Sequence, residues 1–382
     1  MAIDTTSGPV STRVSTGLAA APFEPVRELF DSMLDADPGY SAQLAVYLDG
    51  TKVIDLNGGP DVAADSVTGV FSCSKGVSAL AFGLLVQDGL IDLDAAVARY
   101  WPEFGRHGKD VLTVRRLLSH QGGLVGFPGG IDTEDYNDLA AVARRLADAT
   151  PMWRLDAGTF GYHALTMGVF VEELCRRVTG VTLQEIYNSR IRDPYAVDMF
   201  LGLPEPEEPR FRPVRYADMP DAPFVDPASL GGIAANVAGG NLLDLPNRRS
   251  IRAGGSCSGA GVGSANGLAR VYAAASTGVD GLDPFWRPDT LAAMAQEQVW
   301  GLNRVSGETG AFAVVFMKSH PLMDFGSAAA FGHDGANGAL GYADPAYGIG
   351  FGYVPAWVED GGTGGRGMQL SAAVRKAILA NR

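Results

Sequence analysis

The chain has 382 residues, 46% of them hydrophobic and 19% charged, and a formal net charge of −13. A chain of that length outgrows a single ordinary core, so one large or two interlocked domains are expected. The acidity argues against nucleic acid or an anionic membrane as partner, because phosphates call for clustered Lys and Arg.

In chain order, residues 23–36 place Phe23, Val26, Leu29, Phe30 and Leu34 at helical spacing. Residues 40–59 alternate on both sides of Asp49-Gly50, the pattern of a β-hairpin. Helices are expected at 72–88, about 113–119, 138–149, 163–179 and 182–192. Residues 193–262 are rich in Pro, Gly and Asp with weak periodicity, the pattern of a lid or pocket wall. Helices return at 264–277 and 287–297, followed by strands at 310–318, 328–335, 338–344 and 347–355 and a last helix over 368–381. The simplest assembly is an α/β fold (α+β sandwich type). In it the N-terminal hairpin joins the C-terminal strands in one antiparallel sheet flanked by helices, with a mostly helical insertion. The corresponding division is 1–70 plus 298–382 for the α/β part and 71–297 for the helical part, with the site in the cleft between them.

Several classes have no support. No run reaches the ~18 apolar residues that span a bilayer, and the N-terminal residues show no signal-peptide pattern. Cys73, Cys175 and Cys257 do not make a disulfide framework, so a cytoplasmic protein with reduced thiols is expected. The five histidines form no H-x-x-x-H pair and there is no Cys-x-x-Cys, so neither metal nor cofactor is expected. The one G-x-G-x-x-G, at 362–367, has no room for a βαβ unit after it and reads as a flexible loop.

Ser72-Cys73-Ser74-Lys75 carries the chemistry. Residues three apart share a helix face, so Ser72 and Lys75 can meet, while Cys73 and Ser74 point elsewhere. Ser72 falls at a helix N-terminus, where free N–H groups favour a developing anion. The apolar run after Lys75 would desolvate the amine and lower its pKa, as a general base requires. Without that burial, the pair reads as an N-cap serine and a snorkelling lysine. Tyr187-Asn188-Ser189 sits in an amphipathic helix and reads as packing. Gly255-Ser256-Cys257-Ser258-Gly259 looks like a nucleophile elbow but lacks the flanking strand and helix, so a pocket-lining loop is expected.

"FSCSKGVSALAFGLLVQDGLIDLDAAVARYWPEF", "LTVRRLLSHQGGL", "GTFGYHALTMGVFVEEL" and "FGHDGANGALGYADP" follow one another in the order and spacing of the serine β-lactamase-like superfamily. From about residue 22 to the C-terminus the chain most resembles the family VIII carboxylesterases, which are similar to class C β-lactamases. The resemblance implies a β-lactamase-like fold, Ser72 as nucleophile, Lys75 as its base and Tyr162 as proton shuttle. A phenol close to an ammonium would be pushed towards phenolate. The resemblance also implies an oxyanion hole from the backbone of Ser72 and Ala336, with His333 and Gly335 on the substrate side. His333 stands where the superfamily has the lysine of Lys-Thr-Gly, and Ala164 replaces an amide or hydroxyl two residues after the tyrosine. Both changes weaken the hold on a β-lactam and favour a neutral ester.

The expected function is therefore a serine carboxylesterase acting on small to medium esters through an acyl-enzyme. Its expected partner is a small-molecule ester, with no nucleic acid and no membrane; a homodimer is allowed but not required. The rivals are an amidase, D-aminopeptidase or acyltransferase of the same fold, a weak β-lactamase, and a non-catalytic scaffold. The intact Ser-Lys-Tyr set speaks against the scaffold.

Overall fold

The computed structural model describes residues 13–132, 136, 138–216, 225–238, 241–358 and 365–382. Nine strands form the main sheet: β1 Thr16–Ala19, β2 Ala42–Leu48, β3 Thr51–Gly58, β4 Val299–Leu302, β5 Thr309–Phe312, β6 Met317–Lys318, β7 Phe331–Asp334, β8 Leu340–Asp344 and β9 Ile349–Pro355. Their spatial order is β1-β3-β2-β9-β8-β7-β6-β5-β4, with every pair antiparallel. The joint between the chain's two ends is the β2–β9 pair, in register from Ala42 against Pro355 to Leu48 against Ile349.

Helices cover both faces of the sheet. The main ones are α1 Glu24–Ala36, α2 Cys73–Gln87, α3 Leu139–Asp148, α4 Met167–Thr179, α5 Ala265–Ser276, α6 Pro288–Ala295 and α7 Gly365–Ala380. On one face α1 and α7 pack together, and Val26, Phe30, Leu370 and Val374 share a core with Leu44, Ile54 and Phe351. On the other face α5 lies across β2, β8 and β9. It can do so because the sheet is bare there: a Cβ on Gly352 would stand 2.2 Å from the Ala265 carbonyl oxygen. The larger core lies beyond α5 and centres on α2, which is buried from Cys73 to Leu85. No described helix is long and apolar enough to cross a membrane.

Some elements differ from the sequence reading. The expected strand 310–318 is a hairpin, β5 turning into β6 with Phe312 opposite Met317. Its turn contains no glycine, and Val315 takes φ +69°, a conformation β-branched residues rarely adopt. The turn is held from outside: Val315 N–H donates to Leu118 O at 2.7 Å and Val314 N–H to Met294 O at 3.2 Å. Helix α4 begins at Met167 rather than 163, and β1 and β4 are strands without an alternating pattern to announce them. Within 193–262 the chain forms only short pieces, among them helices Leu230–Ala235 and Arg249–Gly254 and strands Met199–Phe200 and Val262–Gly263. Residues 217–224 and 239–240 of that segment, 362–364 of the G-x-G-x-x-G, and the N-terminal 12 lie outside the described residues, while 365–367, expected in a flexible loop, form the first turn of α7.

Candidate active site

Val70 and Phe71 deliver the chain to the head of α2. Val70 N–H donates to Gly261 O at 3.0 Å, and Phe71 turns with φ +46°, a strained conformation for a bulky side chain. Ser72 then takes the N-cap position, but its side chain makes no capping bond. The hydroxyl is thus not used up in closing the helix. One turn on, Lys75 is 1% exposed, and its Nζ donates to Ser72 Oγ at 2.9 Å and to Ser258 O at 2.6 Å. Burial brings the Lys75 amine down to about 7, with the Asp334 carboxylate opposing it.

The other two side chains of the motif are occupied. Ser74 Oγ donates to Phe71 O at 2.5 Å and accepts from Gly261 N–H at 2.9 Å, tying α2 to the Gly-rich loop. Cys73 is fully buried, its thiol donates to His333 O at 3.2 Å, and burial holds it far from thiolate.

Tyr162 lies in the extended lead-in to α4. Its N–H donates to Asn303 Oδ1 at 3.0 Å, and its ring stacks on Phe312 at 5.9 Å between the rings of His120 and His333. Lys75 Nζ stands 5.1 Å from the ring centroid. Burial first, and the Asp334 charge second, hold the phenol well above its ordinary pKa, while a hydrogen bond with Ser72 works the other way. This reverses the expectation that an ammonium pushes the phenol towards phenolate. The desolvation that frees Lys75 of its proton makes Tyr162 keep its own.

Two buried histidines near Tyr162, His120 and His163, are held neutral. His120, at φ +65°, accepts from His163 N–H on Nδ1 at 3.0 Å, which leaves its proton on an unpartnered Nε2. His163 accepts from Leu124 N–H at 3.2 Å, donates from Nδ1 to Gly161 O at 2.7 Å, and is brought by burial to about 4. Burial also takes His120 well below the usual imidazole range.

The end of β7 completes the site. A Cβ on Gly335 would stand 2.4 Å from Val70 O, so the glycine lets this strand end close on the segment leading to Ser72. Side chains alternate along a strand, which puts His333 and Asp334 on opposite faces. His333 is fully buried beneath Tyr162, and its Nδ1 donates to Asp334 O at 2.8 Å. Asp334 and Ala336, rather than His333 and Gly335, line the cavities beside Ser72. Among the described residues, neither Ser72 N–H nor Ala336 N–H has an acceptor.

Two cavities meet at Ser72, Tyr162, Ser306 and Ala336. The larger, about 520 Å³, has mostly apolar walls that include Phe71, Leu165, Ala234, Leu242, Leu245 and Val305. The smaller, about 270 Å³, is lined on its polar side by Asn303, Glu308, Thr309, His320 and Asp334. The Gly255–Gly259 loop is a pocket wall, as expected: Ser258 and Gly259 line the larger cavity, and Cys257 is buried. Tyr187 is buried and donates to Met199 O at 2.8 Å, so it packs. Sequence reasoning missed the Ser258 carbonyl on Lys75, Asn303 and Phe312 around Tyr162, and the Asp334 carboxylate. Asp334 alone carried a signal, as the middle residue of His333-Asp334-Gly335, which stands where the superfamily has Lys-Thr-Gly.

The Beta-lactamase family profile matches residues 26–367. The chain belongs to that family. Its similarity to other members extends nearly end to end. It is 33% identical to Esterase/beta-lactamase LipL of Mycobacterium tuberculosis, over 92% of this chain and 85% of that protein. The structure of EstA from Arthrobacter nitroguajacolicus Rue61a superposes with a TM-score of 0.93 at 54% identity, covering 95% of this chain and 98% of that one. A family VIII carboxylesterase superposes with a TM-score of 0.84 at 29% identity, over 95% and 99% of the two chains. The nine-stranded sheet with its helical layers is thus the β-lactamase-like fold expected from the sequence motifs.

Proposed function

We propose that this member of the Beta-lactamase family is a serine carboxylesterase working through an acyl-enzyme. The observation that carries the reading is the 2.9 Å contact of Ser72 Oγ with a buried Lys75 at the junction of two cavities. Ser72 Oγ attacks the ester carbonyl while its proton passes to the Lys75 amine. The carbonyl oxygen takes up charge against the N–H groups of Ser72 and Ala336. As the tetrahedral adduct collapses, Tyr162 O–H protonates the departing alkoxide and Lys75 returns a proton to the phenol. Water, activated by the same pair, then releases the acid. The esterase names among the relatives support this reading.

Esters suit the cleft better than lactams do. Neither cavity is lined by Lys or Arg among the described residues, so a β-lactam carboxylate finds no counter-ion there. Two carboxylates, Glu308 and Asp334, would repel it. The buried free thiols of Cys73, Cys175 and Cys257 fit the cytoplasm as the site of action.

The test is p-nitrophenyl acetate and butyrate turnover by wild type and Ser72→Ala, with nitrocefin and a D-amino acid anilide alongside. Ester turnover should fall at least about a thousandfold in the variant. Turnover surviving in Ser72→Ala sinks the mechanism, and nitrocefin outrunning the esters overturns the substrate class.

A further inference from the structure

The two cavities differ in charge as well as in size. The larger one offers an ester an apolar wall. The smaller brings together two carboxylates, Asp334 at its floor and Glu308 on its exposed rim, with Phe312, Tyr162, Met317, Leu322 and Met323 around them. An acidic pair alone would mean little in a chain of net charge −13. Two unpartnered polar atoms make this cavity a built site. Asp334 is 7% exposed, and its Oδ2 has no hydrogen-bond partner. His320, 8% exposed, also lines the cavity and has an unpartnered Nδ1. Buried polar atoms are rarely left unsatisfied unless something else completes them.

Opposing charge is weak. Burial lowers the proton affinity of His320 and of the Lys75 amine behind the cavity. His333 Nδ1, which lies 3.4 Å from Asp334 Oδ1, already gives its N–H to the Asp334 carbonyl. What remains is a small chamber with negative oxygens at floor and rim and the stacked side chains of Tyr162 and Phe312 in its lining. That combination stabilises an ammonium group through ion pairing and a charge-assisted hydrogen bond to the Asp334 carboxylate.

We propose that the smaller cavity is a cation subsite: the preferred substrate is an ester with an ammonium group on one side of the ester bond and an apolar group on the other. The inference rests on the esterase reading above and names its substrate class. The larger cavity takes the apolar group, the smaller takes the ammonium, and Ser72 meets the carbonyl between them.

Isosteric pairs test it, since each differs only in replacing nitrogen by carbon. The first pair is 5-ammoniopentyl butyrate against hexyl butyrate. The reversed pair is the butyl esters of 6-ammoniohexanoate and heptanoate. In wild type at low salt, kcat/KM for the cation in one pair should exceed that of its neutral partner about fivefold or more. Glu308→Gln should lower that ratio two- to fivefold, and Asp334→Asn should lower it further. A ratio taken within one variant is unaffected by loss of folded protein. No preference for the cation in either pair, with Ser72-dependent p-nitrophenyl butyrate turnover intact, overturns the subsite and leaves the esterase standing. A preference that persists unchanged in both variants also overturns it. Failure to turn over any ester overturns both readings.

Discussion

In the proposed mechanism Lys75 can act as a base near neutral pH only because it is kept out of water, and the Asp334 carboxylate limits how far its proton affinity falls. Burial takes the amine from an ordinary 10.5 to about 7, while the carboxylate of Asp334 stabilises the ammonium and holds the value up. Activity should therefore rise with pH through about 7 as the amine loses its proton. Asp334→Asn removes the stabilising charge, so the acid limb of the kcat/KM profile should move to lower pH. A limb that moves up, or stays in place, would remove Asp334 from this role. The same burial costs stability. The unfolded chain holds the proton more tightly, so between about 7 and 10 it carries more protons than the folded chain, and the Lys75 contribution to stability rises with pH across that window. Lys75→Met should abolish turnover yet stabilise the fold at pH 7 by about 1–3 kcal/mol, read as a higher urea midpoint. A lower midpoint would mean that the bonds to Ser72 and Ser258 outweigh desolvation.

At the scale of elements, the site was legible where its geometry is local. Ser72 and Lys75 are one helical turn apart, so an i, i+3 pattern and an apolar run were enough to pair them and to set Ser74 and Cys73 aside. Contacts made across the chain left no such mark. Ser258 meets Lys75 through a backbone carbonyl, which any residue type supplies, and the 313–316 turn is held by carbonyls of Leu118 and Met294 rather than by turn residues of its own. The bare face of β9 lies between these cases. Its alternating glycines read as strand in the sequence, but their purpose appears only with α5 laid against them. Gly352→Val tests that purpose. Its side chain would overlap the Ala265 carbonyl and the backbone of Ala269 and push α5 off the sheet, and should cost about 3 kcal/mol or more in urea unfolding. A variant of wild-type stability would show that α5 does not depend on so close an approach.

On the scale of the whole molecule, the cleft is built from distant parts of the chain. Ser72, the proposed nucleophile, heads α2, Tyr162 precedes α4, the smaller cavity is walled by residues between 303 and 336, and the larger one by residues between 225 and 259 together with those parts. The sequence motifs located the first two, whereas the weakly periodic segment 193–262 was legible only as a wall of unknown shape. That wall sets the reach of the apolar group. Each buried methylene contributes about 0.8 kcal/mol, so kcat/KM should climb about fourfold per carbon along p-nitrophenyl acetate, butyrate and hexanoate until the larger cavity of about 520 Å³ is full. Ala234, 1% exposed, lies on its wall. Ala234→Phe places a ring in the space that the longer chains would occupy. The hexanoate-to-acetate ratio should then fall at least tenfold relative to wild type, because overpacking penalises the long chain and not the short one. An unchanged ratio would put the acyl chain elsewhere, and the division of the cleft into an apolar and a charged arm would have to be redrawn.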